Sequence, residues 1–446
     1  MHALVGTPPV CPTPTLGSPV AWTSSAGSTV PAPPVGTRDL LPPEAFDRRT
    51  LVHSVAEVFE LHGYALVTTP PFELADTIER GLGADPRETL RFVDPETGEV
   101  CVFRPDLTVQ VARLVASGLR ERPAPLRLYY EGHVLRVRRG RARRQRQIAQ
   151  IGAECLGIAG AAGDAEIVEL ASKSLEQVGL SHHVEVAAVP MVRALCDRVP
   201  AERAAMVTEA LSRKDARAVE RALSGAGLDK PIVRALVELE SLMGGLEVLD
   251  RARPLLAHLA PTHFDAVASL CEALAERGLS ERLRLDLGEV RGLDYYTGPS
   301  FALLADGPGE PLGSGGRYDD LLSRFGRPLP ASGFAIDVDH LAWAIAAQGR
   351  AARRVKLRVV VAGPRAAHVV DTLRLLGIRA ACVEAGPDAI LEFAAAWQND
   401  AAVEATERGA SIQWVGGIRE GCALADLGAR LLETHQRASA EGTTCP

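Results

Sequence analysis

Phe46, Leu51, Val55, Val58 and Phe59 fall on one stripe of a segment that ends at Gly63, and that spacing predicts an amphipathic helix. Ala65 to Thr69 reads as a short strand running into Pro70 and Pro71. Further strands are predicted at Val100 to Phe103, Leu126 to Tyr130, Ile148 to Cys155 and Ser300 to Leu304, separated by turns and short helices. That order suits an α+β arrangement, a mostly antiparallel sheet flanked by helices. From Met191 to about Ser280 the pattern turns wholly helical, with helix-length runs at Ala201 to Leu211 and Ile232 to Leu242. This stretch reads as an insertion between two strands of the sheet. An arginine-rich hinge, Arg350 to Lys356, leads to a last unit. There Leu357 to Ala362, Ile378 to Val383 and Ser411 to Val415 read as buried strands alternating with helices. The organisation expected is a disordered Pro/Ser/Thr-rich extension over 1–34, a main domain over 35–349 with an insertion at about 191–280, and a small α/β domain over 357–446.

Composition narrows the class. At 446 residues, 47% hydrophobic and 24% charged, the chain is expected to be a globular protein of two or three domains. A net charge of -7 argues against wholesale nucleic-acid binding through a basic surface. No apolar run approaches the roughly 18–20 residues needed to cross a bilayer. The 8 cysteines are scattered without a C-x-x-C pair, which points to reduced thiols in the cytoplasm rather than disulfides or a metal site.

Three segments carry candidate chemistry. Arg291-Gly-Leu-Asp-Tyr-Tyr-Thr-Gly298 joins a cation, a carboxylate and two phenols between glycines. Phe103-Arg-Pro-Asp-Leu-Thr108 is a loop with an acid and a hydroxyl. Gln150-Ile-Gly-Ala-Glu154 alternates on a strand, so Gln150, Gly152 and Glu154 share a face. Taken singly, each has an ordinary reading: Glu154 as a solvated strand acid, Tyr295 and Tyr296 as core-edge aromatics, Arg104 as a loop cation. In this order and spacing they resemble the class II histidyl-tRNA synthetases and their non-synthetase paralogues. The resemblance implies a class II synthetase-like antiparallel sheet and a histidine pocket. Asp106 and Thr108 would face the α-amino group, and Gln150 and Glu154 would help hold the amino acid. Arg291 would sit over the carboxylate, Tyr295 and Tyr296 would form the imidazole pocket, and Arg136 would complete the binding set.

The residues expected to hold ATP depart from the synthetase pattern. Arg138 stands where motif 2 carries a glutamate, and Ile148 stands where an aromatic would stack on adenine. In Gly333-Phe-Ala-Ile-Asp-Val-Asp-His-Leu341, Asp339 and His340 replace Glu-Arg, and Asp337 replaces a glycine. Added carboxylates disfavour polyphosphate, and a neutral imidazole does not replace a guanidinium fork. Gly313-Ser-Gly-Gly-Arg-Tyr-Asp319 lacks the Lys-Ser/Thr of a P-loop and reads as a tight turn at a strand edge, with Arg317 and Tyr318 shaping the pocket. The run Arg136, Arg138, Arg139, Arg141, Arg143, Arg144 and Arg146 has no interleaved aromatics, which counts against base stacking. In the last unit acids outnumber Lys and Arg, unlike an anticodon reader, so it reads as a degenerate or repurposed version of one.

This combination most resembles the regulatory-subunit family of ATP phosphoribosyltransferase, over Val35 to about Ile345. Within the insertion, Ala210-Leu-Ser-Arg-Lys-Asp-Ala216 and Leu242-Met-Gly-Gly-Leu-Glu-Val248 look like that family's version. The resemblance implies a non-catalytic subunit with no cofactor and no metal, homodimeric within a hetero-octamer-like assembly. Its partner would be a short-form catalytic subunit, histidine its ligand, and neither tRNA nor a membrane would be bound. The alternative is a histidyl-tRNA synthetase that activates histidine with ATP.

Overall fold

The computed structural model describes residues 32–83, 88–137, 145–290, 296–349 and 357–440. These divide into two compact units, the first running up to Asp39 and resuming at Thr50, the second made of Leu40–Arg49 and the chain from Leu357 onward.

The first unit is built on a nine-stranded sheet. Its order is β1 (Ala65–Leu66), β5 (Leu126–Leu135), β6 (Gln147–Leu156), β12 (Ala331–Asp337), β11 (Gly313–Arg317), β10 (Ser300–Leu304), β7 (His183–Ala187), β9 (Leu283–Asp286) and β8 (Met243–Gly244). The pairs β1–β5 and β7–β9 are parallel and the rest antiparallel, so the sheet is mixed at its edges. A small antiparallel sheet of β2 (Phe72–Leu74), β4 (Val100–Phe103) and β3 (Arg91–Val93) lies earlier in the chain. Of the stretch expected as the first strand, Ala65–Leu66 pairs with β5 and Val67 N–H still donates to Tyr129 O at 2.9 Å, while the carbonyl of Thr69 is taken by Arg104 Nη1 at 2.9 Å.

Each face of the sheet is covered by helix. On one, Phe59 of helix Glu44–Leu61 meets the rings of Tyr129 and Phe334 edge-on, both at 5.6 Å. Leu51, Val55 and Val58 of the same helix are buried, whereas Phe46 departs from the expected stripe. It belongs to the second unit, where the guanidiniums of Arg358 and Arg379 lie over its ring at 3.9 and 4.2 Å. Across the sheet, helix Thr108–Ser117 buries Val109, Val111, Ala112 and Val115 in a core with Ile78, Tyr130, Leu156 and Leu321.

Two sequence expectations need correction. Gly313 to Arg317 is a central strand rather than an edge turn; with almost no side chains it gives no periodic signal, yet both neighbours pair along its length. The stretch between β7 and β9 holds six α-helices, from Val189–Cys196 to Pro261–Glu276, but is not wholly helical, since Met243–Gly244 returns to the sheet edge beside β9. Lys214, in the left-handed region at φ 52°, reaches back from this insertion to Asp286 at the end of β9 with Nζ–Oδ1 of 2.6 Å.

The second unit carries a five-stranded sheet ordered β14 (Arg379–Cys382), β13 (Arg358–Ala362), β15 (Ala401–Thr406), β16 (Gly409–Trp414) and β17 (Arg419–Cys422). The first three are parallel and the last two antiparallel. Trp414 is fully buried, with its indole N–H on Glu420 at 2.8 Å. β15 and β17 were absent from the sequence reading, the first because Ala-Ala-Val-Glu-Ala-Thr is as alanine-rich as a helix. No described helix in either unit is long and apolar enough to cross a membrane.

Candidate functional site

Register builds the site. Gln150, Gly152 and Glu154 of β6 stand opposite Asp337, Ala335 and Gly333 of β12, and Ala335 and Gly333 stand opposite Ser314 and Gly316 of β11. On the other side of β6, Tyr130 faces Gly152. Directly paired residues point to the same side, so these make one patch of small residues walled by polar ones. Gly152 has no room for a Cβ, which would meet Phe334 O at 2.4 Å and the Tyr130 hydroxyl at 2.7 Å. Gly333 is tighter still, its added carbon falling 1.7 Å from Glu154 Oε2.

The cavity above this patch has a volume of about 260 Å³. That suits a ligand smaller than a typical drug molecule. Asp106, Thr108, Arg136, Gln150 and Tyr296 line it, with Ser314, Tyr318, Glu310, Asp337 and His340. Asp106 Oδ1 accepts the backbone N–H of Thr108 at 2.8 Å, at the start of helix Thr108–Ser117. Arg136 donates through Nε to Pro105 O at 2.7 Å and through Nη2 to Asp106 Oδ2 at 3.3 Å. Thr108 Oγ1 lies 3.3 Å from the Tyr130 hydroxyl, which donates to Glu154 Oε1 at 3.2 Å. Glu154 itself is 1% exposed, and its Oε2 has no hydrogen-bond partner. Burial lifts its carboxyl well above the usual carboxylate range, against the lowering effect of Thr108 and Tyr130. Desolvation also pushes the Tyr296 phenol up to about 12, keeping it a neutral donor.

At the far end Asp337 accepts the N–H groups of Asp339 at 2.9 Å and His340 at 3.1 Å, capping helix Val338–Ala347. Burial raises its carboxyl too. His340 Nδ1 lies 2.9 Å from Pro311 O.

Five of the eight residues expected to bind ligand therefore line one cavity, and Glu154 lies buried beneath it. Arg291 and Tyr295 lie outside the described residues, as does Arg138 of the ATP-side comparison. Asp339 does not line the cavity; Arg38 and Gln145 hold its carboxylate, each at 2.8 Å. Arg317 is corrected as a pocket-shaping residue: strand alternation turns it to the opposite face of the sheet, where it pairs with Asp164 at 2.7 Å. Arg104 is no loose loop cation, since it ties His133 O at 2.7 Å to Thr69 O at 2.9 Å. Sequence reasoning missed Tyr130, which alternation on β5 opposite Gln150 and Glu154 could have found. It also missed Glu310 and Pro311, which sit in a loop without any periodic signal.

The histidyl-tRNA synthetase family profile matches residues 36–341. An ATP phosphoribosyltransferase regulatory subunit from Moorella thermoacetica is 37% identical over 389 residues, covering 86% of this chain and 97% of that protein. The chain belongs to the ATP phosphoribosyltransferase regulatory-subunit family. Another such regulatory subunit, from an Anaeromyxobacter species, is 43% identical over 343 residues. That alignment takes in 98% of the relative but 74% of this chain, so a family member of shorter length is nearly complete without the remainder. A solved structure described as an ATP phosphoribosyltransferase regulatory subunit/histidyl-tRNA synthetase from Bacillus halodurans superposes with a TM-score of 0.73 at 28% identity, covering 85% of this chain and 98% of that one. The class II histidyl-tRNA synthetase-like fold of the family is thus the fold of this chain's large sheet.

Proposed function

We propose that this chain is the non-catalytic regulatory subunit of an ATP phosphoribosyltransferase, required for activity and for histidine feedback on the first step of histidine biosynthesis. Its partner is a short-form catalytic subunit, joined to a homodimer of this chain in a hetero-octamer-like assembly in the cytoplasm. Histidine binds through Asp106, Thr108, Arg136, Gln150, Glu154 and Tyr296, with Arg291 and Tyr295 from the neighbouring segment.

The observation that carries this reading is the unequal chemistry of the cavity's two ends. One end offers Asp106, Thr108 and the Tyr130–Glu154 pair, donors and acceptors that suit an amino acid. The other presents Glu310 and Asp337, with His340 in the place of a synthetase arginine. Among the described lining residues the guanidinium is that of Arg136, and Asp106 already engages it. A bent triphosphate needs cations where this cavity places carboxylates, so adenylate chemistry is unsupported. The proposed role has no need of the synthetase ATP set, from which the sequence departs at Arg138, Ile148 and His340, nor of tRNA charging.

The test is phosphoribosyl-ATP formation by a short catalytic chain, with and without this protein, across a histidine titration. The expected result is a severalfold or larger rise in rate with this chain, and an inhibition curve that exists only in its presence. A coupling of about 1–3 kcal/mol corresponds to a shift of roughly 5- to 150-fold. Unchanged rate and histidine sensitivity, with no complex eluting together, sink the reading. Histidine-dependent ATP–pyrophosphate exchange above a no-enzyme control would instead restore the synthetase.

A further inference from the structure

The chain leaves β9 at Asp286 and re-enters the sheet at Ser300, carrying Tyr296 of the cavity wall between them. Those two strand ends flank one residue: Ala187, the last of β7, pairs with Asp286 on one side and with Ser300 on the other. At that same end of β7 the helical insertion departs, beginning with helix Val189–Cys196. The segment that supplies Tyr296 and the insertion therefore spring from one spot on the sheet.

Two cations of the insertion take hold of this segment, one near each end. Arg193, on helix Val189–Cys196, donates through Nη2 to the carbonyl of Tyr296. That helix is firmly seated, with Met191, Val192 and Leu195 fully buried. Tyr296 is thus held from behind by Arg193, while its phenol meets Ser314 at the cavity. At the other end Lys214 Nζ lies 2.6 Å from Oδ1 of the buried Asp286, an oxygen that also accepts the Gly288 N–H at 3.1 Å. Glu185 and Glu289 bring carboxylate oxygens within 4.8 Å of that of Asp286, so an ammonium there enters a concentrated negative field. The backbone of Lys214 is also informative. Asp215 N–H donates to Ala210 O at 3.1 Å and Lys214 N–H to Leu211 O at 3.0 Å, the two bonds that close a helix through a left-handed residue. Glycine adopts that conformation freely and lysine only at a cost, yet the side chain that glycine would lack is the one that reaches Asp286.

We propose that Arg193 and Lys214 are positioning residues for the ligand, two cations by which the helical insertion pins the 286–296 segment at both ends and so holds one wall of the cavity in place. This rests on the reading of the cavity as a histidine site. Neither residue lines the cavity, so each acts through what it holds, Arg193 through Tyr296 and Lys214 through Asp286. A wall tied down before the ligand arrives does not have to be ordered by it, and binding is tighter for that. Cutting either tie moves the ordering into the binding step.

Hydrogen exchange on the intact ligand-free chain, followed by histidine calorimetry, tests this with Arg193→Met, Lys214→Met and a control, Arg198→Met. Arg198 is a cation of the same insertion, but its Nη2 donates to Leu259 O at 2.7 Å, within the insertion itself. Faster exchange is expected across residues 287–297 in the first two variants and not in the control, with β6 and β12 amides as slow as in the wild type. Histidine should bind about tenfold to a hundredfold more weakly in both, with no change in Arg198→Met, and Lys214→Arg should recover most of the affinity. Unchanged exchange across 287–297, or wild-type affinity in either variant, overturns the proposal. A general rise through β6 and β12 overturns it as well, since the two residues would then be scaffold. If the wild type binds no histidine while 287–297 loosens in both variants, the histidine reading fails and the pinning stands.

Discussion

Replacing Arg317 by methionine is expected to remove about 3–5 kcal/mol from the stability of the first unit, the cost of breaking a buried ion pair by deleting one partner. Arg317 and Asp164 have side chains each 6% exposed and meet at 2.7 Å. The same guanidinium reaches Asp319 at 2.9 Å and the carbonyls of Ile158 at 3.2 Å and Gly160 at 2.9 Å. Removing it leaves Asp164 charged or protonated in a dry place, with two carbonyls short of a donor. The effect is therefore one of desolvation rather than of lost attraction, and that has a consequence. The double variant Arg317→Met/Asp164→Leu should recover most of the loss, because neither half of the pair is then stranded. Chemical denaturation of the whole chain, read by hydrogen exchange at β11 and β12 amides, measures both. Loss of less than about 1 kcal/mol in the single variant would mean that water reaches Asp164.

Gly333→Ala is expected to weaken histidine binding by about 30-fold to several thousandfold, the range for losing a buried charge contact of roughly 2–5 kcal/mol. The added methyl falls 1.7 Å from Glu154 Oε2 and 2.4 Å from the Tyr318 hydroxyl, so the carboxylate must leave its place. The pairing of Gly333 with Glu154 across β12 and β6 gives the strand no slack to absorb the clash. Adding Glu154→Ala to Gly333→Ala should relieve the conflict with the carboxylate, leaving only the Tyr318 hydroxyl to give way, and recover part of the stability but none of the affinity. Titration calorimetry on the wild type and the two variants separates the outcomes. Wild-type affinity in Gly333→Ala would place the ligand away from this patch.

Much of this site was legible because strands alternate. Gln150 and Glu154 declared a shared face by spacing alone, and the acid and hydroxyl of Asp106 and Thr108 announced themselves by chemistry. What stayed hidden was whatever lacks side-chain pattern or depends on pairing. β11 is Gly-Ser-Gly-Gly-Arg, which reads as a turn until two neighbours are seen to close over it. The orientation of Arg317 depends on knowing that Gly313 begins a strand, so an error in the element became an error in the residue. Phe46 fits the spacing of its helix but sits with the second unit, because period predicts a face and says nothing about which core that face will meet. In the second unit β15 was lost to its alanines, whose helix preference is overruled by burial between β13 and β16.

The glycine floor also limits how this pocket could ever be re-engineered. A cavity whose depth is set by side chains can be enlarged by trimming them, but at Gly152 and Gly333 there is nothing left to trim. Substitution there can only fill space, so a bulkier ligand is not reachable through the floor. Any drift in what the site accepts must come through its walls, at Gln150, Ser314 and Tyr296, where a shorter or differently polar side chain opens room without disturbing the strands beneath.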